Sequence, residues 1–230
     1  MQGNQTIDSE MVRYYSARAG EYDDWYLRRG RYSHGPAEDE AWRSDLDAAA
    51  DWLGRQPLHG RIVELAAGTG WWSPILARMG DLTLLDAAPE PLEIARDRLA
   101  AAGRAAELKV RDAWAEPIGT ADGLFAGFWI SHINRSRLDE FFALAFRWLA
   151  PGGRLASIDS RPDSASSAQD HRPPEEDVQV RRLHDGSTFR VRKIFYEPAE
   201  LADAMARAGF TDIRVEVTQR FFVLGSARRP

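Results

Sequence analysis

From Arg61 onward, short apolar runs alternate with longer stretches in which apolar positions recur every three or four residues. The runs "RIVEL", "LTLLDA", "AELKVRDA", "GLFAGFWI" and "RLASIDS" read as strands. Between them, "WSPILARM", "PEPLEIARDRLAAAG" and "SRLDEFFALAFRWLA" read as helices. Pro74 is tolerated in the first turn of the first helix, and Gly103 closes the second. Ser136 is the expected N-cap of the third, which Pro151-Gly152-Gly153 ends. Such alternation means an α/β fold, a doubly wound parallel sheet with helices on both faces. Ahead of it, "SEMVRYYSARAGEYDDWYLRR" and "AEDEAWRSDLDAAADWLG" read as helices, so residues 1–60 form an N-terminal helical cap on a core at 61–230. A polar loop, "RPDSASSAQDHRPPEED", then leads to a β-hairpin insertion at about 177–196, marked by Asp185-Gly186. Helix "PAELADAMARAG" and the strand segment "TDIRVEVTQRFFVLGS" complete the chain.

Composition narrows the classes. A chain of 230 residues with 44% hydrophobic and 28% charged residues can bury a substantial core. The net charge of −5 argues against a phosphate-backbone partner, so no nucleic acid is expected. The lack of cysteine excludes disulfides, thiolate nucleophiles and cysteine-ligated metals. No apolar run approaches the roughly 20 residues of a membrane span, and "MQGNQTIDSEMVRYY" has no signal-peptide pattern. The cytoplasm is the expected compartment, with no membrane partner. Lysine occurs only at Lys109 and Lys193; the many arginines are scattered and read as genome composition.

The candidate chemistry lies at the carboxyl ends of the strands, where ligands bind in doubly wound sheets. Glu64-Leu65-Ala66-Ala67-Gly68-Thr69-Gly70 forms the turn after the first strand, and its glycines let backbone N–H groups approach a ligand. A third glycine at Ser73, which dinucleotide binding would want, is missing, and Trp71 and Trp72 would crowd a pyrophosphate. The acid at Glu64 suits a ligand with positive charge. Asp86, ending the second strand, is placed to accept from both ribose hydroxyls. Asp112 and Trp114, in "RDAWAEP", suit an adenine amino group and its ring. Ribose, adenine and a cationic group together describe S-adenosylmethionine.

With "VELAAGTG", "LLDAAPEPLEIAR", "VRDAWAEP", "GLFAGFWISHI" and "WLAPGGRLASID" in order, the chain resembles the class I S-adenosylmethionine-dependent methyltransferases of the small-molecule type over about residues 60–160. The resemblance implies a seven-stranded, mostly parallel Rossmann-like sheet ending in a reversed hairpin. It also implies S-adenosylmethionine as cofactor, held by Glu64, Ala66, Gly68, Gly70, Trp71, Asp86, Ala87, Asp112, Ala113, Trp114 and Trp129. Ala66 stands where the family usually has glycine. Helical caps in this family often carry tyrosines over the cofactor, and here Tyr14 and Tyr22 are favoured.

His132, after the fourth strand, is the candidate catalytic residue, since a neutral imidazole there can take a proton from the acceptor. His34 is a weaker candidate for touching substrate, and His59, His171 and His184 read as solvated. No metal is expected, because the edge after strand four reads "FWISHI" rather than a set of acids. Aromatics near the edge (Trp25, Tyr26, Tyr32, Phe128, Trp129, Phe195, Tyr196) suit a small, partly apolar or aromatic methyl acceptor. The alternatives are an enzyme of the same fold and cofactor that catalyses cyclisation or decarboxylation, or a non-catalytic partner subunit. The sequence leaves the acceptor, the atom methylated and the oligomeric state open.

Overall fold

A computed structural model describes residues 2–230. Strands β1 (Gly60–Leu65), β2 (Gly80–Asp86), β3 (Glu107–Val110), β4 (Ala121–Gly127) and β5 (Leu149–Ser160) pair in parallel. The last expected strand segment folds as two, β8 (Thr211–Val217) and β9 (Phe222–Arg228), and β9 runs antiparallel to both its neighbours. The seven-stranded order is β3-β2-β1-β4-β5-β9-β8. Strand order therefore reverses between β1 and β4, which opens a crevice at their carboxyl ends.

Alternation along each strand divides the apolar residues between two layers. Val63, Leu65 and Leu124 join a cluster with α6 (Leu138–Trp148) and α7 (Pro198–Arg207). Ile62, Leu84 and Phe125 join the opposite cluster, with α3 (Pro36–Gly54), α4 (Ser73–Leu76) and α5 (Pro89–Ala101). In α6 the buried Leu138, Phe141, Phe142, Ala145 and Trp148 follow helical spacing and form a single inward stripe. Ser136 does not cap this helix. It sits within a 3-10 turn, Arg135–Arg137, and Asn134 Oδ1 accepts the Ser136 N–H at 3.0 Å.

The first expected helix is broken into α1 (Gln2–Arg18), a 3-10 turn (Ala19–Glu21) and α2 (Asp23–Tyr26). Gly20 weakens helix continuation at the break, and Arg28 at φ +53° ends the segment. The Arg28 guanidinium is buried, lies 3.5 Å from the Trp42 ring centre, and donates to the carbonyls of Tyr32 and Ala165 at 3.2 and 2.6 Å.

The hairpin pairs β6 (Val178–Arg182) with β7 (Thr188–Arg192) around Asp185-Gly186. It docks on α1 through a small cluster of its own, Met11, Tyr14, Leu183 and Val191. Glu10 accepts the Arg190 amide at 2.7 Å and Glu21 the His184 amide at 3.0 Å. The cover over the sheet edge is thus α1 and the hairpin together, although they are far apart in sequence. Helix α3 belongs instead to the core, where Trp42 packs edge-on against Phe221 and Phe222.

Asp45 fastens α3 to the β8–β9 turn. It is 3% exposed, and its Oδ2 accepts from Thr218 Oγ1 at 2.6 Å, Arg220 N at 2.8 Å and Phe221 N at 2.6 Å. Asp45→Ala strands these donors where water cannot replace the acceptor. The expected loss of unfolding free energy is at least about 3 kcal/mol, with an unchanged denaturant slope. A loss below about 1 kcal/mol in urea titration would show that the turn finds other partners.

Candidate functional site

A cavity of about 380 Å³ lies at the carboxyl ends of β1, β2 and β4. Three turns build one wall. After β1 the chain takes left-handed backbone at Ala66 (φ +49°), Gly68 (φ +55°) and Gly70 (φ +69°). The Gly68 amide donates to Asp86 Oδ2 at 2.8 Å and the Ala88 amide to Oδ1 at 2.9 Å, so Asp86 ties the first turn to the second. Burial raises the Asp86 pKa above the usual carboxylate value, and these two amides oppose the rise. After β3, Asp112 Oδ1 accepts the Trp114 amide at 2.8 Å. The Trp114 ring leans on Phe141, and the Arg137 guanidinium lies 3.7 Å from its centre.

The two glycines of the first turn differ in role. A Cβ on Gly68 would meet nothing within 4 Å, whereas one on Gly70 would fall 2.7 Å from the Ala95 Cβ. Gly68 leaves room beside the cavity. Gly70 lets α5 pack close.

The opposite wall follows β4, where Phe128 (φ +55°) leads into a 3-10 turn, Ile130–His132. His132 is 6% exposed; its Nδ1 lies 2.5 Å from the Arg192 carbonyl oxygen and its Nε2 2.6 Å from Tyr15 Oη. A carbonyl only accepts, so Nδ1 carries the proton and Nε2 accepts from the Tyr15 hydroxyl. Burial, then the charges of Arg181 and Lys193, hold the imidazole pKa well below its usual value. Burial also pushes the Tyr15 phenol up to about 12, against the pull of Arg181. Arg181 donates to the same Tyr15 Oη at 3.3 Å.

A second cavity, of about 360 Å³, lies beneath α1, the hairpin and the segment 160–174. Tyr15, Tyr22, Phe128 and His132 line both cavities. Those four side chains form the partition between them.

The comparisons with known proteins agree with this geometry. Residues 62–153 match the family model of a methyltransferase domain. Over 115 residues the chain is 32% identical to the ubiquinone/menaquinone biosynthesis C-methyltransferase of Marinomonas sp. (strain MWYL1), covering 47% of this chain and 46% of that protein. The match thus spans about half the length of that curated relative. The DhpI–SAM–HEP complex superposes with a TM-score of 0.77 at 27% identity, covering 97% of this chain and 98% of that one. The DhpI–SAH complex gives 0.76 at 26%, covering 97% of each chain. The glycopeptide N-methyltransferase MtfA, complexed with S-adenosylmethionine, shares the fold at 0.59 and 22% identity, over 81% of this chain and 94% of that one. Residues 62–153 thus carry a methyltransferase domain.

In this methyltransferase domain the first cavity brings together Tyr22, Ala66, Gly68, Asp86, Ala87, Asp112, Ala113, Trp114, Trp129 and His132. Four residues expected beside them lie elsewhere. Tyr14 lines the second cavity and belongs to the α1–hairpin cluster. Gly70 sits under α5. Trp71 stacks on Tyr26, with rings parallel and 4.1 Å apart. Glu64 is 1% exposed and shares the strand face of Ile62, beneath α4, where Ser73 Oγ donates to Oε2 at 2.6 Å. His34 is also off the cavities, with Nε2 2.8 Å from the Ser167 carbonyl oxygen. His171, read as solvated, lines the second cavity and accepts the Arg182 amide at 3.2 Å. Sequence reading missed Tyr15, Arg18 and Arg181; the one local hint was Tyr15, adjacent to a favoured tyrosine. Among the described residues, no helix is long and apolar enough to cross a membrane, and no group of three or more His, Asp or Glu is placed to hold a metal ion.

Burial pushes the Glu64 carboxyl up from 4.5 to about 8, against the pull of the Ser73 hydrogen bond. Near neutrality the folded protein keeps this proton, while the unfolded chain has lost it. Folding therefore takes up a proton, and the Glu64 contribution to stability falls as pH rises from about 4.5 to about 8. Glu64→Gln lacks that decline, so its stability relative to the unsubstituted protein should grow across the window. Urea titrations at several pH values measure the difference. A difference that stays constant, or shrinks, would show that Glu64 is ionised in the fold.

Proposed function

We propose that the protein transfers the methyl group of S-adenosylmethionine to a small, partly apolar acceptor, with the cofactor in the first cavity and the acceptor in the second. The observation that carries this reading is the shared partition. Two cavities, each within the range of small-molecule sites, touch through four side chains, so a group at the inner end of one faces the other. S-adenosylmethionine supplies, when bound, a methyl activated on a sulfonium.

The donor set of the first cavity suits that group. Each Asp86 oxygen accepts one amide and retains a lone pair, which leaves the carboxylate able to take both ribose hydroxyls. Asp112 uses one oxygen on the Trp114 amide and keeps the other for an amino group. Open space at Gly68 admits the chain of the ligand. On the acceptor side, Trp25, Tyr32, Phe128 and Phe195 provide apolar wall. Binding in adjoining, water-poor pockets supplies proximity and alignment.

Tyr15 and His132 form the proton-accepting pair in this reading. Tyr15 takes the proton of the acceptor as its own passes to His132 Nε2, and the Arg192 carbonyl steadies the Nδ1–H that remains. The depressed pKa of His132 keeps it neutral well below its usual value of 6.5.

Two measurements test the reading. Asp86→Ala removes two charge-assisted hydrogen bonds of roughly 1.5 kcal/mol each, or on the order of 100-fold in affinity for S-adenosylhomocysteine. An unchanged dissociation constant in the folded variant would take the ribose away from Asp86. Tyr15→Phe and His132→Ala should each lower turnover by roughly 10²–10⁴-fold, and the double variant no further, because the two act as one unit. Cofactor affinity should stay the same, and the acid limb of kcat/KM should lie well below pH 6.5. Wild-type turnover in Tyr15→Phe would remove the relay.

A further inference from the structure

The second cavity holds positive charge without a matching negative charge. Arg18 is 4% exposed, and its Nη2 donates to Tyr32 Oη at 3.1 Å, while Nε has no partner. Its guanidinium carbon lies 4.5 to 5.6 Å from the ring centres of Tyr14, Tyr22 and Tyr32. Arg181 donates to Gln179 Oε1 at 3.1 Å and to Tyr15 Oη at 3.3 Å. Among the described residues, neither arginine forms an ion pair with a carboxylate. The neighbouring cation, Lys193, is answered by Asp159 at 3.7 Å and Ser131 Oγ at 3.0 Å. The one carboxylate on the cavity wall, Asp163, is committed to Arg220 at 2.7 Å and to the Ala165 amide at 2.8 Å.

A cage of aromatic rings accounts for part of this arrangement, because ring faces attract a guanidinium. It does not account for the donors. A guanidinium has five N–H groups in a fixed fork, and rings do not satisfy them. The hydroxyl of Tyr14, fully buried on the same wall, also has no partner. Buried charge and buried donors without partners are costly, and here they face one cavity.

We infer that the methyl acceptor carries a small oxyanion, a carboxylate or a phosphate-type group, gripped in the second cavity by the guanidinium forks of Arg18 and Arg181. The inference rests on the reading of the first cavity as the cofactor side. The apolar remainder of the acceptor lies against Trp25 and Phe128, toward the partition. Hydrogen-bond donors in a fork suit planar and tetrahedral oxyanions alike, so both are probed.

The test is calorimetric titration of the protein with acetate, inorganic phosphate and methylphosphonate, at constant ionic strength set by chloride, with and without saturating S-adenosylhomocysteine. At least one oxyanion should bind, and the comparison of acetate with the two tetrahedral ions tells carboxylate from phosphate-type recognition. Tetramethylammonium should not bind. Arg181→Met, on the partly exposed hairpin, should weaken the oxyanion at least about tenfold while S-adenosylhomocysteine binds as before. Arg18→Lys keeps the buried charge but loses the fork, and should also weaken it. The inference fails if none of the three ions binds, or if Arg181→Met binds them as the unsubstituted protein does. Failure of S-adenosylhomocysteine to bind counts against the first-cavity reading instead, and the anion titration without it still decides this one.

Discussion

Both faces of the sheet are buried, because Ile62 and Val63, Leu84 and Leu85, and Leu124 and Phe125 send neighbouring side chains into opposite clusters. A sheet covered on both sides can offer a ligand only its edges, and backbone order decides which edge. With β1 flanked by β2 on one side and β4 on the other, the connections after these strands leave in opposite directions. The crevice between them holds Asp86, the glycine turn and His132. Every other feature of the site is an elaboration of that parting. The hairpin and α1 roof it, α5 presses against Gly70, and the 3-10 turn after β4 supplies the inner wall.

How far the sequence disclosed this depended on whether the signal was local. Strand runs, turn glycines and strand-end acids sit within a few residues of one another, so periodicity and spacing found the sheet, Gly68, Asp86, Asp112 and His132. Glu64 was read toward the cavity because its charge suggested a cationic ligand. Alternation along β1 instead sends its side chain to the Ile62 face, where burial favours the neutral form. Ser136 was read as a cap from residue type alone, while Asn134 two positions earlier holds the turn. Arg18 and Arg181 carried no local signal at all. They belong to α1 and β6, brought together by the packing of Tyr14 and Met11 on Leu183 and Val191 and by the Glu10 and Glu21 hydrogen bonds to hairpin amides.

Electrostatics within the site run opposite to those of the whole chain. The protein carries a net charge of −5, yet Arg18, Arg181 and Lys193 converge on one cavity. Burial alone would push His132 toward neutrality, and Arg181 and Lys193 reinforce it. The same fields leave Tyr15 a hydroxyl that donates to His132 while accepting from Arg181. A buried phenol between a neutral imidazole and a guanidinium is polarised in one direction, away from the cationic cavity and toward the imidazole. Net charge carried no information about the sign of a cavity this small.

The partition between the cavities has halves of different mechanical character. Phe128 holds left-handed backbone, which costs on the order of 1–3 kcal/mol for a bulky residue. Its ring is set among Trp25, Tyr26, Trp72 and Phe222, and its amide donates to the Ile158 carbonyl at 2.7 Å. That half is anchored in the sheet and its packing. Tyr15 and Tyr22 come instead from α1 and the turn after it, and α1 is fastened largely to a two-stranded hairpin outside the main sheet. His132 joins the halves, since its backbone follows β4 while its Nδ1–H depends on the Arg192 carbonyl of that hairpin. Movement of the hairpin would therefore release the imidazole orientation and open the second cavity in one step. Hairpin position and the orientation of the His132–Tyr15 pair are coupled through the Arg192 carbonyl, beside which Arg192 Nη1 donates to the His132 carbonyl at 3.3 Å and the Ile194 amide to the Ser131 carbonyl at 2.8 Å.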